Sequence, residues 1–399
     1  MKIAMVYDAV YPEHIGGGER RYWELARRLV QGGHEVWLVS MQYWDGPARI
    51  TRQGVTLFGV CAAIPLFTAR GRRSVVEPVY FAWHVDRFLR REPFDLVDCA
   101  AFPYLSCIAA WRHRRRRALP LVITWFEVRG WRGGWRYSGP LGIAAALWEM
   151  VVARLSVHNV AISDLTLAQA RDLYPRLRQR MALVPCGVES ARRIGLGSDP
   201  ARRFRLLCVG RLVAHKRVEW AIEVLAGLAA KYPQLTLSVV GEGPEAGRLR
   251  RLAAHAGLTH RVTFHGRLDA DDLEQQYQTA GILLSPSQQE GFGMVLAEAM
   301  AAGVAVVAAD APRSAAGVVL AGGRAGTLVT SAAAMRDAVR SLLDDPRVHA
   351  ASATRAAQSA MGFDWDRTVV PGLEGVYARA MGVATEPTPT AGETRRWPS

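Results

Sequence analysis

Two carboxylates, two cations and a set of glycines carry most of the chemistry that can be read from this chain. In S-P-S-Q-Q-E-G-F-G-M-V-L-A-E-A-M, Ser285 to Met300, an apolar strand-like run ends at Ser-Pro, a glycine-containing loop follows, and a helix is predicted from about Met294. First-turn amides have no carbonyl partner inside a helix, so those of Phe292, Gly293 and Met294 are expected to face outward as donors to an anion or a sugar hydroxyl. Glu290 stands just before these amides, separated from them by Gly291, and Glu298 lies one turn into the helix. Each carboxylate can accept two hydroxyls, which suits the vicinal diols of a sugar and of a ribose. A second cluster, G-R-L-V-A-H-K-R, runs from Gly210 to Arg217 at the end of a predicted strand, the edge where open α/β sheets bind ligands. Arg211 offers a planar fork and Lys216 a compact charge, a combination able to neutralise a diphosphate. The only lysines are Lys2, Lys216 and Lys231, so a lysine at 216 is not compositional background.

The elements that must hold these groups follow from periodicity. Residues 3–7 read as a strand, I-G-G-G-E-R at 15–20 as a glycine-rich turn, and Trp23, Leu25, Ala26 and Leu29 as one face of a helix. G-G-H-E-V-W-L-V-S then supplies a stop and a second strand. Further strands are predicted at 96–98, 121–125, 160–163 and 181–185. The rhythm restarts at Arg205, with strands at 205–211, 235–241, 261–266, 281–286 and 304–309. Helices are expected between them at 220–232, 245–256, 271–280 and 294–302. Two α/β domains result, 1–190 and 191–380, with a hinge between Pro185 and Arg203 where Gly187, Gly195, Gly197 and Pro200 break any period. A last helix at about 364–380 is expected to cross back onto the first domain, and 381–399 has the composition of a disordered tail.

With 399 residues, half of them hydrophobic and 22% charged, the composition is that of a soluble globular protein and excludes a disulfide miniprotein. Five cysteines with no C-x-x-C pair imply neither a disulfide framework nor a zinc knuckle. No leader is readable in M-K-I-A-M-V-Y-D, so the expected home is the cytoplasm. The net charge is +14, and 28 of the 50 basic residues against 17 of the 36 acidic ones fall before residue 201. The excess concentrates at Arg70–Arg73, Arg87–Arg91 and His113–Arg117. A solvated face is the simplest reading. An acidic membrane surface is the stronger alternative, because no nucleic-acid signature accompanies the charge. The apolar run Pro140 to Ala153 contains Glu149 and is too short to span a bilayer, leaving a buried or interfacial helix. Trp125, Trp131 and Trp135 alternate with Arg129, Arg132 and Arg136, a pattern that fits either packing under a loop or stacking on a sugar or lipid headgroup. D-W-D at 364–366 and D-A-D-D at 269–272 read as helix starts. Glu19 reads as a partner of the helix dipole and His34 as structural.

In order along the chain, G-G-G-E, the Arg211-x-x-x-x-Lys216 pair after a strand, V-G-E-G-P at Val240–Pro244 and the Glu290-to-Glu298 element containing E-G-F-G together resemble the retaining family 4 glycosyltransferases over about residues 1–380. That resemblance implies the GT-B fold, two facing Rossmann-like doubly wound domains with a C-terminal helix crossing back. It further implies that Gly17 and Gly18 approach the donor phosphate and that Arg211 and Lys216 hold the diphosphate. Glu290 would bind the transferred sugar, Glu298 the ribose, and His265, Gly266, Arg267 and Leu268 would border the base. Relatives commonly carry histidine where this chain has Phe126, so the polar contact there would pass to Glu127, His14 or the acceptor, with Trp125 and Trp131 as further acceptor-side candidates.

The function expected is transfer of a sugar, with retained configuration, from a nucleoside-diphosphate sugar to a hydroxyl of a glycan, lipid carrier or natural product. No cofactor and no obligatory metal are implied, and the enzyme would work in the cytoplasm or on the inner face of the cytoplasmic membrane. The alternatives are another GT-B enzyme, such as a sugar-nucleotide epimerase or a phosphorylase, and a non-catalytic basic protein binding carbohydrate or nucleic acid.

Overall fold

A computed structural model describes residues 1–14, 16–66, 74–155, 158–189 and 199–383. Arg70–Arg73, the hinge glycines Gly195 and Gly197, and the expected tail from 384 lie outside the described residues. The chain divides into two compact units, residues 1–185 with 369–399, and residues 186–368.

The first unit contains β1 (Lys2–Val6), α1 (Gly17–Gln31), β2 (Glu35–Gln42), β3 (Arg49–Arg52), β4 (Val55–Ala62), α2 (Val76–Arg91), β5 (Leu96–Ala100) and α3 (Leu105–Arg117). It continues with β6 (Leu121–Trp125), α4 (Gly130–Ser138), α5 (Pro140–Leu155), β7 (His158–Ala161), α6 (Asp164–Leu173) and β8 (Met181–Leu183). Its sheet runs β3-β4-β2-β1-β5-β6-β7-β8 and is parallel apart from the β3–β4 hairpin. A parallel sheet covered on both faces needs strands that are apolar throughout, and β5 and β6 are buried at every position. Strand order reverses between β1 and β5.

The second unit contains β9 (Arg205–Val209), α7 (Glu219–Leu228), β10 (Thr236–Val240), α8 (Ala246–His255), β11 (Val262–Gly266), α9 (Ala270–Thr279), β12 (Ile282–Ser285) and β13 (Gln289–Glu290). It ends with α10 (Met294–Ala301), β14 (Ala305–Ala309), β15 (Arg313–Ser314), α11 (Ala316–Val319), β16 (Thr327–Val329), α12 (Ala332–Asp344) and α13 (Pro346–Ala360). The main sheet, β11-β10-β9-β12-β14-β16, is parallel throughout, and its order reverses between β9 and β12. Asp364 and Asp269 cap as expected: Asp364 accepts from the amides of Asp366 and Arg367 at 3.0 and 2.8 Å, and Asp269 from that of Asp272 at 2.8 Å.

The last helix, α14 (Val370–Ala380), returns to the first unit and contacts α1, β6 and β7. Its anchor is polar. The fully buried Asp98 of β5 accepts from Tyr377 of α14 at 2.7 Å, Tyr22 of α1 at 3.0 Å and Thr124 of β6 at 2.8 Å. Burial still raises the Asp98 carboxyl above its usual range, against the pull of these donors and of Arg21. Arg21, also fully buried, donates to the carbonyls of Val184, at 2.9 Å, and Pro185. His34 contacts Glu374 at 3.2 Å, a structural tie as expected.

Removing the hydroxyl in Tyr377→Phe leaves a buried acid one donor short, and is expected to destabilise the first unit by about 1.5–3 kcal/mol. The check is the urea midpoint followed by tryptophan fluorescence. An unchanged midpoint would mean that α14 is held by its apolar face alone.

Candidate active site

In the second unit the predicted groups gather where the strand order reverses, at the carboxyl ends of β9 and β12. Open α/β sheets bind ligands at such a switch point. The segment after β9 forms a short 3-10 turn over Ala214–Lys216, and the segment after β12 brings in β13 and the start of α10. The two are locked by backbone: the amide of Gln288 donates to the carbonyl of His215 at 2.8 Å. Across that lock the ammonium of Lys216 pairs with the Glu290 carboxylate, both side chains largely enclosed. Glu290 is itself fixed by the two-residue ladder of β13 with β15 and by its carbonyl, which accepts from Ala315 at 2.9 Å.

Gly293 adopts φ +87°, in the left-handed region that favours glycine, and turns the chain into α10. The helix starts at Met294, as predicted, but Phe292 and Gly293 precede its first turn. Its outward first-turn amides are therefore those of Met294 and Val295, while Leu296 already donates to Gly293 at 2.9 Å. Phe292 is buried, its ring edge-on to Phe363 at 5.4 Å, and anchors the loop. Glu298 is 5% exposed and accepts from Tyr277 of α9 at 2.8 Å.

V-G-E-G-P after β10 stacks directly on G-R-L after β9. Gly210 donates to Val240 at 3.0 Å and Leu212 to Glu242 at 2.8 Å, and a Cβ on Gly241 would stand 2.0 Å from the Gly210 carbonyl oxygen. Gly241 in turn donates to Gly266 at 2.7 Å, which seats the end of β11 beside the same turn. There His265 contacts Ser238 at 3.2 Å, Arg267 is exposed and Leu268 is half-buried.

Sequence reasoning missed two members of this group. The His215 imidazole is held below its ordinary value first by burial, then by Lys216, Arg211 and Arg313, with Glu290 pulling the other way. His215 and Arg313 thus belong to the same electrostatic cluster as Arg211, Lys216 and Glu290. Arg313 could have been found only by pairing β13 with β15. Beneath them, burial pushes the Cys208 thiol up to about 12, which keeps it an unreactive thiol. The exposed Arg211, with Lys216 and Arg313, outweighs the single Glu290 charge, so the edge suits a dianion. Among the described residues, no three His, Cys, Asp or Glu side chains are gathered as a metal site.

The first unit presents a different edge at its own switch point. Gly17 and Gly18 open α1, and a Cβ on Gly18 would meet the ring of Tyr7 at 3.2 Å and that of Phe126 at 3.4 Å. Phe126 stacks on Tyr7 at 5.6 Å and meets Tyr22 edge-on at 5.7 Å. Tyr7 is thus an aromatic neighbour of this turn that motif reading did not single out. His14 packs edge-on against Tyr43 at 4.3 Å, and Glu127 pairs with Arg129. Trp131 is 61% exposed on α4. Trp125 must be corrected: it is 0% exposed, the last residue of a strand buried at every position, and its indole donates to Asn159 at 2.9 Å. It is a core residue and offers no surface to an acceptor.

Residues 198–360 match the family described as Glycosyl transferases group 1, and residues 15–192 match Glycosyltransferase Family 4. A D-inositol 3-phosphate glycosyltransferase from Salinispora arenicola is 30% identical over 334 residues, covering 72% of this chain and 69% of that protein. Matches to two other proteins of that name span about half of their length. Among solved structures, sucrose-phosphate synthase from Thermosynechococcus elongatus superposes with a TM-score of 0.76 at 20% identity, covering 96% of this chain and all of that one. Anabaena HepE, in complex with UDP and glucose, gives 0.70 at 20% identity, with the same coverages.

Burial lowers not only His215 but also His158 and His349, with neighbouring arginines adding to the effect at both. The native state therefore takes up protons at lower pH than the unfolded chain, whose histidines titrate near about 6.5. The histidine contribution is intact above that value and is lost as pH falls through it. The melting temperature should thus drop between pH 7.5 and 5.5, and less steeply in His349→Gln. A melting temperature flat across that window would contradict these shifts.

Proposed function

The chain belongs to the group 1, family 4 glycosyltransferases and has their two α/β units, and on that premise we propose that it moves a sugar, with its anomeric configuration retained, from a nucleoside-diphosphate sugar to an acceptor hydroxyl. The observation that carries this reading is the Lys216–Glu290 pair set beside Arg211, Arg313 and the first turn of α10. Breaking the bond from the anomeric carbon to a diphosphate builds negative charge on phosphate and positive charge on the sugar. Fixed cations and amides facing the phosphate lower that barrier most directly. In this reading Arg211 and Lys216 take the diphosphate. An ammonium has three donors, so Lys216 can meet a phosphate oxygen while still holding Glu290. Glu290 then receives sugar hydroxyls from a fixed position, and Tyr277 fixes the plane of the Glu298 carboxylate offered to the ribose diol. His265 to Leu268 border the base.

Charge neutralisation by side chains and amides makes a divalent metal unnecessary for departure of the leaving group, and the reading includes none. The acceptor belongs to the first unit. The basic excess before residue 201 supports an acceptor presented at an anionic membrane surface on the cytoplasmic side.

The test separates two kinds of variant. Lys216→Met should weaken nucleoside-diphosphate binding by the value of a charged hydrogen bond, about 1.5–3 kcal/mol or roughly ten- to hundredfold. Glu290→Gln should keep the thermal shift produced by UDP or GDP yet lower transfer at least a hundredfold. Wild-type turnover in Glu290→Gln would remove Glu290 from the reaction. A protein whose melting point no nucleoside diphosphate raises would remove the whole reading.

A further inference from the structure

The first unit carries a cavity that neither the donor machinery nor the sheet edge accounts for. It has a volume of about 310 Å³, at the lower end of the roughly 300–1,000 Å³ usual for small-molecule sites. Its walls come from the start of α2, the Phe102–Leu105 turn before α3, and the facing sides of α4 and α5. The lining is mainly apolar, with Val79, Phe102, Leu105, Leu141 and Ala145 among its members and Ser74, Arg129 and Glu149 as its polar ones.

Three further observations give the cavity a direction. Glu149 is 0% exposed and accepts from Tyr104 and Tyr174 at 2.7 and 2.6 Å and from the amides of Arg129 and Gly130 at 3.1 and 2.8 Å, so the one acid in the wall is fully engaged in holding α4 on α5. The two helices approach so closely at Gly134 and Gly142 that a Cβ on either would overlap the other's carbonyl, which makes the wall a rigid hairpin. Val75, Val79, Leu141 and Trp148 line the cavity and are exposed, apolar surface of the sort that marks an interaction site.

Charge decides the occupant. From residue 128 to residue 155 the chain holds four arginines, Arg129, Arg132, Arg136 and Arg154, and only one acid, the buried Glu149. Arg129 lines the cavity and pairs with Glu127, the residue after Phe126 in the chain. A mainly apolar cavity with Trp148 and the Arg129 guanidinium in its wall, on a basic hairpin, matches an amphiphile: a hydrocarbon chain inside and a phosphate beside the guanidinium. We propose that this cavity binds the hydrocarbon chain of a lipid-phosphate acceptor, with Arg129 and Arg132 receiving its phosphate. The inference rests on reading the first unit as the acceptor-binding part of a glycosyltransferase.

Dodecyl phosphate, butyl phosphate and inorganic phosphate serve as probes, titrated calorimetrically into the full-length protein below micelle-forming concentrations. Each methylene taken into the cavity should raise affinity about three- to fourfold, so the dodecyl compound should bind at least a hundredfold more tightly than the butyl one. Filling the cavity with Ala145→Phe should cost tenfold or more for dodecyl phosphate. Ala144→Phe plugs the same wall from a more exposed position, should one variant fail to fold. Arg132→Glu should weaken dodecyl phosphate but not dodecanol. The UDP or GDP thermal shift should persist in every variant, so loss of alkyl phosphate binding cannot be confused with loss of the donor site. Equal affinities for the butyl and dodecyl compounds would overturn the proposal. So would plugged variants that bind dodecyl phosphate like the wild type while still floating with phosphatidylglycerol vesicles, because a bilayer would then cover the face without a chain entering it.

Discussion

Lys216 and Glu290 are 74 residues apart in sequence and meet because β9 and β12 lie side by side and run the same way. Parallel register, Leu206 opposite Ile282 and Leu207 opposite Leu283, delivers the two loops to one edge at one height. The bond from Gln288 to His215 then holds them there. A largely enclosed ion pair gains little net stability, since desolvation offsets most of its Coulomb energy. The pair therefore does not hold the loops together. The backbone places it, and its value lies in a charged acceptor and a charged donor held ready at one spot. The stability of the unit resides in the apolar layer beneath, where Leu206, Leu284 and Val307 are almost wholly buried.

Because that site is built from short loops, each following its own strand, much of it can be read locally. Strand, glycine turn and helix start each leave a signature within about ten residues, so Gly210–Arg217, Val240–Pro244 and Ser285–Met300 were placed correctly at the ends of strands. What escaped were the long-range partners. Arg313 enters through the pairing of two-residue strands, and Tyr277 reaches Glu298 from a neighbouring helix. Trp125 shows two local signals in conflict. Its alternation with arginines suggests an exposed stacking surface, but it also closes the apolar run L-V-I-T-W. The central position of β6, paired on both sides, decides for burial.

Glu149 makes the same point from the other direction. Within Pro140–Ala153 it reads as an interruption of an apolar helix. In the fold the interruption is the fastening: α5 turns Glu149, Val152 and Ala153 inward and leaves Leu141, Ile143, Leu147 and Trp148 outside. Four donors from three separate segments converge on its carboxylate, and the negative charge sits at the amino end of α4, where the helix dipole favours it. No pattern within fifteen residues of Glu149 encodes that arrangement. The tyrosines lie 45 positions before it and 25 after it.

Asp98, Arg21 and Glu149 are all fully enclosed, while valines, leucines and tryptophans of α2, α4 and α5 stand in contact with solvent. This reverses the usual distribution on one side of the first unit. Buried charges seldom add stability over apolar residues of like volume, but they fix geometry, because each admits only one set of partners. Here they fix the return of α14 and the α4–α5 hairpin, the two features a purely apolar interior would leave free to slide. Apolar side chains left in water confer no such benefit on the folded chain. Their concentration on the walls of a mainly apolar cavity, on a hairpin held by Glu149 and by the Gly134–Gly142 contact, fits the lipid-binding role proposed for that cavity better than a requirement of folding.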